Sequence, residues 1–215
     1  MTRRGLLAPL LAIVATAACA PLVGEGVAPV PLGPPGWRMA RAAYGADPRQ
    51  SLRLYRPVRA EGLPILVLLP DGAPDAADER AARDLAERGF VVVVADRRAA
   101  PSSVYPAYIA DAAAALAWAA RRAADLGGDA RRIGVLGQGE SGRAALMLAL
   151  DRRYLAAAGA PGAVRAAAAL GAPQRPDATF TDPSAYGGAP DAAPVWRGAA
   201  GDMAGAVAFL RGALG

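Results

Sequence analysis

Three short apolar runs constrain the fold of this 215-residue chain more than any other feature. They read PILVLLP at residues 64–70, FVVVVAD at 90–96 and RIGVLG at 132–137. Continuous apolar runs of this length are typical of strands that are buried on both faces of a parallel sheet. Segments with helical spacing follow each of them, at 76–88, 105–126 and 141–150.

Further strands are predicted at 51–57, where polar and apolar residues alternate as in an edge strand, and at 163–171 and 193–201. A last helix is predicted at 204–214. Strands alternating with helices favour an α/β fold, a doubly wound and mostly parallel sheet with helices on both faces. Such sheets bind ligands at the carboxyl ends of their strands. Candidate site residues therefore follow the strands, at 71–73, 96–98, 137–141 and Asp202.

The first 36 residues have a different composition from the rest. Two arginines, an apolar stretch and small residues make residues 1–18 a predicted bacterial signal peptide. Cys19, the single cysteine, lies at the cleavage point in a segment that resembles a lipobox, which implies a lipid anchor. The alternative is ordinary cleavage after Ala17 or Ala20, which would leave a secreted or periplasmic domain. Residues 19–36 are rich in proline and glycine and are predicted as a tether, and residues 37–215 as the folded domain.

Charge and composition argue against several classes of function. The formal net charge is +5, but every cation is arginine and the arginines are interleaved with acids, so no nucleic-acid partner is expected. The sequence has no histidine, the usual general base at neutral pH. The sequence also has no second cysteine, and its acids lack the spacing of a known calcium or magnesium loop, so no metal and no cofactor is expected.

Several stretches resemble one family in the expected order. They are YGADPRQSLRLYRP, PILVLLPDG, GFVVVVADRR, YPAYIADAAAALAWAA, LGGDARRIGVLG and SAYGGAPDAAPVW. They resemble the small serine carboxylesterases of the α/β-hydrolase fold, the feruloyl-esterase-like and arylformamidase-like enzymes in particular. The resemblance implies an α/β-hydrolase fold, and the chain is expected to be truncated at its C-terminus, before the last strand and the histidine loop.

The family places its nucleophile in the turn G-x-S-x-G between a strand and a helix. Gly137 matches the first glycine and Gln138 the variable position of that motif. Gly139 then matches the nucleophile, Glu140 follows, and Ser141 matches the second glycine. The resemblance therefore implies a degenerate elbow.

Two other family features differ in this sequence. The family's H-G-G segment supplies an oxyanion-hole N–H, and here it reads Asp71-Gly72-Ala73. A carboxylate at that place would repel a developing oxyanion. Asp202 matches the region of the triad acid, but it has no histidine to orient.

Ser141 has two interpretations. GESGR resembles the elbow of larger carboxylesterases, so Ser141 is a candidate shifted nucleophile, although no base to activate it is apparent. Alternatively, Ser141 is a helix N-cap, a position that serine favours. The glycines at 137, 139 and 142 also match a phosphate-binding G-x-G-x-x-G, but they follow the third buried strand rather than the first.

The sequence as a whole predicts an envelope lipoprotein with an esterase-like domain that is catalytically inactive. We expect its strand-end pocket, lined by Asp71, Gln138, Glu140 and Ser141, to bind a small ester-like ligand or a protein. The alternatives are a weak ester hydrolase that uses Ser141 and a truncated relic without a selected function. The sequence does not indicate an oligomeric state.

Overall fold

A computed structural model of the chain describes residues 29–30, 36–98, 105–171 and 193–215. The predicted signal peptide, Cys19 and most of the predicted tether lie outside these residues. So does most of the stretch SAYGGAPDAAPVW. No helix of the described residues is long and apolar enough to cross a bilayer.

Eight strands and five helices make up the described structure. The strands are β1 (Pro29–Val30), β2 (Trp37–Ala43), β3 (Ser51–Pro57), β4 (Leu63–Leu69), β5 (Val91–Ala95), β6 (Gly128–Gln138), β7 (Val164–Leu170) and β8 (Val195–Gly198). The helices are α1 (Ala76–Glu87), α2 (Ala107–Arg121), α3 (Glu140–Leu150), α4 (Arg152–Ala157) and α5 (Met203–Leu214).

The strands form one sheet in the order β1-β2-β3-β5-β4-β6-β7-β8. The five strands from β5 to β8 in that order are parallel, and β1, β2 and β3 add an antiparallel edge. The mostly parallel sheet is therefore confirmed. Residues Pro29 and Val30 of the predicted tether pair with β2 and belong to this sheet.

Helices cover both faces of the sheet, as predicted. Ile65 and Val67 of β4 pack on one side with α2, α3 and α4. Leu66 and Leu68 point to the other side, into the core formed with α1 and α5. Because each face of β4 meets its own helices, the strand is apolar at every position.

The sequence predictions fail at the antiparallel edge. The strand predicted as an edge, β3, lies between β2 and β5 and pairs with both. Between β3 and the edge of the sheet lie β2 and then β1. Strand β2 has no clear apolar alternation, since it carries Arg38 and Arg41 at exposed positions. Trp37 at the start of β2 is only 7% exposed, and its ring centroid lies 5.8 Å from that of Tyr55.

Candidate active site

The turn between β6 and α3 consists of one residue, Gly139. The strand ends at Gln138 and the helix begins at Glu140, so the chain reverses direction at this glycine. Gly139 has φ 52° and ψ −127°, a conformation that residues with a Cβ rarely adopt. Gly139, which the family alignment puts at the nucleophile position, therefore lies at the tip of a strand–turn–helix elbow.

Gly137 is required by the way in which α3 leaves this turn. A Cβ on Gly137 would overlap the carbonyl oxygen of Ser141 and lie 2.7 Å from the Cα of Gly142. The first turn of α3 thus crosses directly over the end of β6. This close approach explains why the first glycine of the motif is present although the nucleophile is not.

Asp71 lies against the elbow. It directly follows Pro70 at the end of β4, the strand next to β6. A Cβ on Gly139 would collide with the Asp71 carboxyl group and lie 2.9 Å from its Oδ1. Asp71 matches the histidine of the H-G-G segment, and its carboxylate therefore occupies the space where a nucleophile's side chain would begin.

Ser141 lies behind this contact and has no exposed surface. Its hydroxyl donates to the carbonyl oxygen of Pro70 at 2.5 Å and accepts from Arg97 Nε at 3.1 Å. The N-cap interpretation of Ser141 is wrong: the N-cap is Gly139, and no side chain caps the helix. Ser141 is the second residue of α3, and its hydroxyl bonds to a neighbouring strand end instead of its own helix.

The other two predicted lining residues point in different directions. Gln138 donates from Nε2 to Asp78 Oδ1 of α1 at 2.9 Å. Burial raises the pKa of Asp78 although Gln138 and the backbone N–H of Asp75 both donate to it. Glu140 is exposed at the start of α3. Asp71 and Glu140 are thus the exposed members of the predicted lining.

Asp202 follows β8, as predicted, and is the N-cap of α5. Its exposed carboxylate accepts from the backbone N–H of Gly205 at 3.0 Å. The acids near the start of α1 have a similar role, because Asp75 and Asp78 form a capping box there. Within the described ranges, no group of three or more His, Cys, Asp or Glu side chains is arranged to hold a metal ion.

A polar network that the sequence did not predict supports the site from the end of β5. Arg98 donates to both carboxylate oxygens of Asp111 on α2, with Nη2 2.7 Å from Oδ1, and Gln50 Nε2 donates to Oδ1 at 2.8 Å. Burial alone would raise the pKa of Asp111, but the hydrogen bonds from Arg98 and Gln50 outweigh it and lower that pKa. Residues 96–98 were candidates as strand-end residues, whereas nothing in the alanine-rich sequence of α2 singled out Asp111.

Arg97, the residue before Arg98, contacts the elbow. The guanidinium of Arg97 lies over the ring of Tyr108, 5.6 Å from its centroid, while its Nε donates to Ser141. Four strand ends or turns therefore meet around α3. Three of them carry Asp71, Arg97 and Gly139. The fourth is the end of β7, where the carbonyl oxygen of Leu170 accepts a hydrogen bond from the backbone N–H of Gly139.

Comparison with known proteins agrees with this architecture. The BD-FAE family model matches residues 69–158, which include Asp71 and the whole elbow. The carboxylesterase NlhH of Mycobacterium tuberculosis is 37% identical over 104 residues, 46% of this chain and 33% of that protein. The esterase LipC of the same species is 32% identical over 127 residues, 54% of this chain and 31% of LipC. The chain thus spans about a third of the length of these relatives.

Solved esterase structures share the fold. The esterase Est22 superposes with a TM-score of 0.56 at 21% identity, over 68% of this chain and 49% of Est22. A bacterial heroin esterase superposes with a TM-score of 0.52 at 25% identity, over 68% of this chain and 49% of that enzyme. The sheet order, the elbow and these similarities together show that the chain has the α/β-hydrolase fold of these esterases.

Proposed function

We propose that this protein is an envelope lipoprotein whose esterase-like domain binds a small ester-like ligand without hydrolysing it. The observation that carries the proposal is Gly139 at the tip of the elbow, with the Asp71 carboxylate in the space of the missing side chain. An elbow without a side chain has no atom that can attack an ester carbonyl. In a well-studied serine protease, loss of the nucleophile costs about a millionfold in kcat.

The surroundings of Ser141 favour the same conclusion. A serine becomes a nucleophile when a base takes its proton, and the acceptor here is the carbonyl of Pro70, which is not a base at any ordinary pH. The donor on its other side, Arg97, cannot accept a proton either. Ser141 also has no surface through which a substrate could reach it.

Ligand binding is proposed from the position of the exposed groups. Asp71 and Glu140 lie at the carboxyl ends of β4 and β6, where open parallel sheets bind their ligands. The lipid anchor and the location on the periplasmic side of a membrane are proposed from Cys19 and the signal-like segment before it.

Hydrolysis is tested on the purified full chain in detergent with p-nitrophenyl acetate, beside a Ser141→Ala variant. We expect both proteins to release p-nitrophenol at the rate of buffer. Turnover by the unaltered chain that Ser141→Ala abolishes would instead establish the alternative, a weak esterase with a shifted nucleophile.

The binding role needs its own measurement. Calorimetric titration with phenyl acetate should give saturable heat. Absence of saturable heat would leave a protein partner as the occupant of the site.

Metabolic labelling with radioactive palmitate tests the proposed lipid anchor on Cys19. We expect label on the unaltered chain and none on Cys19→Ser, and an unlabelled chain would refute lipidation.

A further inference from the structure

The turn after β4 begins with exposed residues. Asp71 and Gly72 are exposed, and a Cβ on Gly72, which has φ 92°, would meet no atom within 4 Å. The hydrogen bond from Ser141 to the carbonyl of Pro70 lies immediately before this turn. Because that carbonyl and the N–H of Asp71 share one rigid peptide plane, the bond also orients the start of Asp71.

The hydroxyl of Ser141 is itself oriented by Arg97. An arginine only donates hydrogen bonds, so the hydroxyl oxygen must accept from Arg97 Nε and its proton must point elsewhere. Pro70 O, at 2.5 Å, receives that proton. The backbone N–H of Arg97 donates to Asp96 Oδ1 at 2.8 Å, which restrains the residue that orients Ser141.

We infer that Ser141 is a positioning residue: its buried hydroxyl fixes the turn after β4 so that the Asp71 carboxylate covers the elbow at Gly139. In this contact, a side chain of the same chain closes the place where esterases of this fold carry their nucleophile. It rests on the same site as the proposed function. Its test measures alkylation of a thiol and not ester hydrolysis, so the two proposals can fail separately.

The test introduces a thiol at the covered position. Gly139→Cys is made in the full chain with Cys19→Ser, which removes the native thiol, and its alkylation rate with iodoacetamide is measured in detergent. The rate is compared after Asp71→Ala, after Ser141→Ala and after both. Asp75→Ala is the matched control, because it removes a carboxylate of the same loop whose hydrogen bonds go to the backbone of α1.

Removal of Asp71 should raise the alkylation rate about fivefold or more, since the thiol gains space and its thiolate loses a neighbouring negative charge. Ser141→Ala should raise it at least about twofold, and should have no further effect once Asp71 is alanine, because coupled residues are not additive. Asp75→Ala should leave it unchanged. The inference is overturned if Asp71→Ala leaves the alkylation rate unchanged, as the control does. It is also overturned if Ser141→Ala does not raise the rate, or raises it equally in chains with and without the Asp71 carboxylate.

A second measurement avoids the strained position 139. Backbone amide order parameters of Asp71 and Gly72 are compared by NMR between the unaltered chain and Ser141→Ala, with those of Asp75 and Ala77 as the reference. We expect the order parameters of Asp71 and Gly72 to fall in Ser141→Ala while those of the reference residues do not change. Equal order parameters in the two proteins would refute the positioning role whatever the alkylation rates are.

Discussion

Loss of the Asp111 carboxylate should destabilise the fold more than loss of any exposed acid. Asp111 is 1% exposed and accepts from Arg98, Gln50 and the backbone N–H of Arg98. In Asp111→Asn, a side-chain NH2 would face these donors. Breaking a buried ion pair by removing one partner costs about 3–5 kcal/mol. Since the Arg98 side chain is 31% exposed and can be rehydrated, we expect a loss of about 2–3 kcal/mol.

Urea denaturation followed by circular dichroism measures this loss at pH 7, and thermal unfolding should show a midpoint lower by about 4–12 °C. Asp129→Asn is the matched control, because Asp129 pairs with Arg131, which is 83% exposed. We expect its free energy of unfolding to stay close to that of the unaltered chain. A loss for Asp111→Asn below about 0.5 kcal/mol would refute the account of this network.

The pH dependence provides a separate check on sign. The pKa of Asp111 is lowered in the fold from its ordinary value of 3.8, so its carboxylate stabilises the fold above that value. The contribution disappears as the pH falls through the lower pKa of the folded state. The stability difference between the unaltered chain and Asp111→Asn should therefore shrink below about pH 4. A difference that is constant between pH 3 and pH 7 would contradict the assignment.

Two further substitutions test the packing. Gly137→Ala should lower the free energy of unfolding measured in urea by about 1–3 kcal/mol, because the new Cβ would meet the backbone of Ser141 and Gly142. An unchanged free energy of unfolding would mean that α3 can move away from β6. Trp37→Ala should cost about 3–5 kcal/mol, since the ring is buried against Tyr55 and beneath Arg83; a loss under about 1 kcal/mol would show that β2 contributes little to the fold.

The parallel part of the fold was predictable because its strands are buried on both faces. Leu66 and Val67 of β4 face different helices, so every position of the strand is apolar and the run is visible in the sequence. Strand β2, in the antiparallel part of the sheet, has arginines between its buried Trp37 and Ala42, which hides any alternation. Its place in the sheet depends on pairing with β3, which no local pattern encodes.

The candidate site was predictable only in part, for a related reason. Gly139 could be placed from the motif, because strand, turn and helix are adjacent in sequence. The contacts that define the site join residues far apart, such as Arg97 with Ser141 and Ser141 with Pro70. These contacts depend on how neighbouring strand ends are aligned. For Asp71, the sequence indicated an unfavourable charge, but only the structure shows its carboxyl group against Gly139.

The most direct test of the central claim is whether this chain contains an activated serine. The purified full chain is incubated with an excess of a fluorophosphonate, which reacts with activated serine nucleophiles whatever their substrate, and the intact mass is then measured. The account predicts an unchanged mass, because Gly139 has no side chain and the Ser141 hydroxyl is buried between Arg97 and Pro70. A stoichiometric adduct on Ser141 that is absent from Ser141→Ala would contradict it and identify the domain as a working hydrolase.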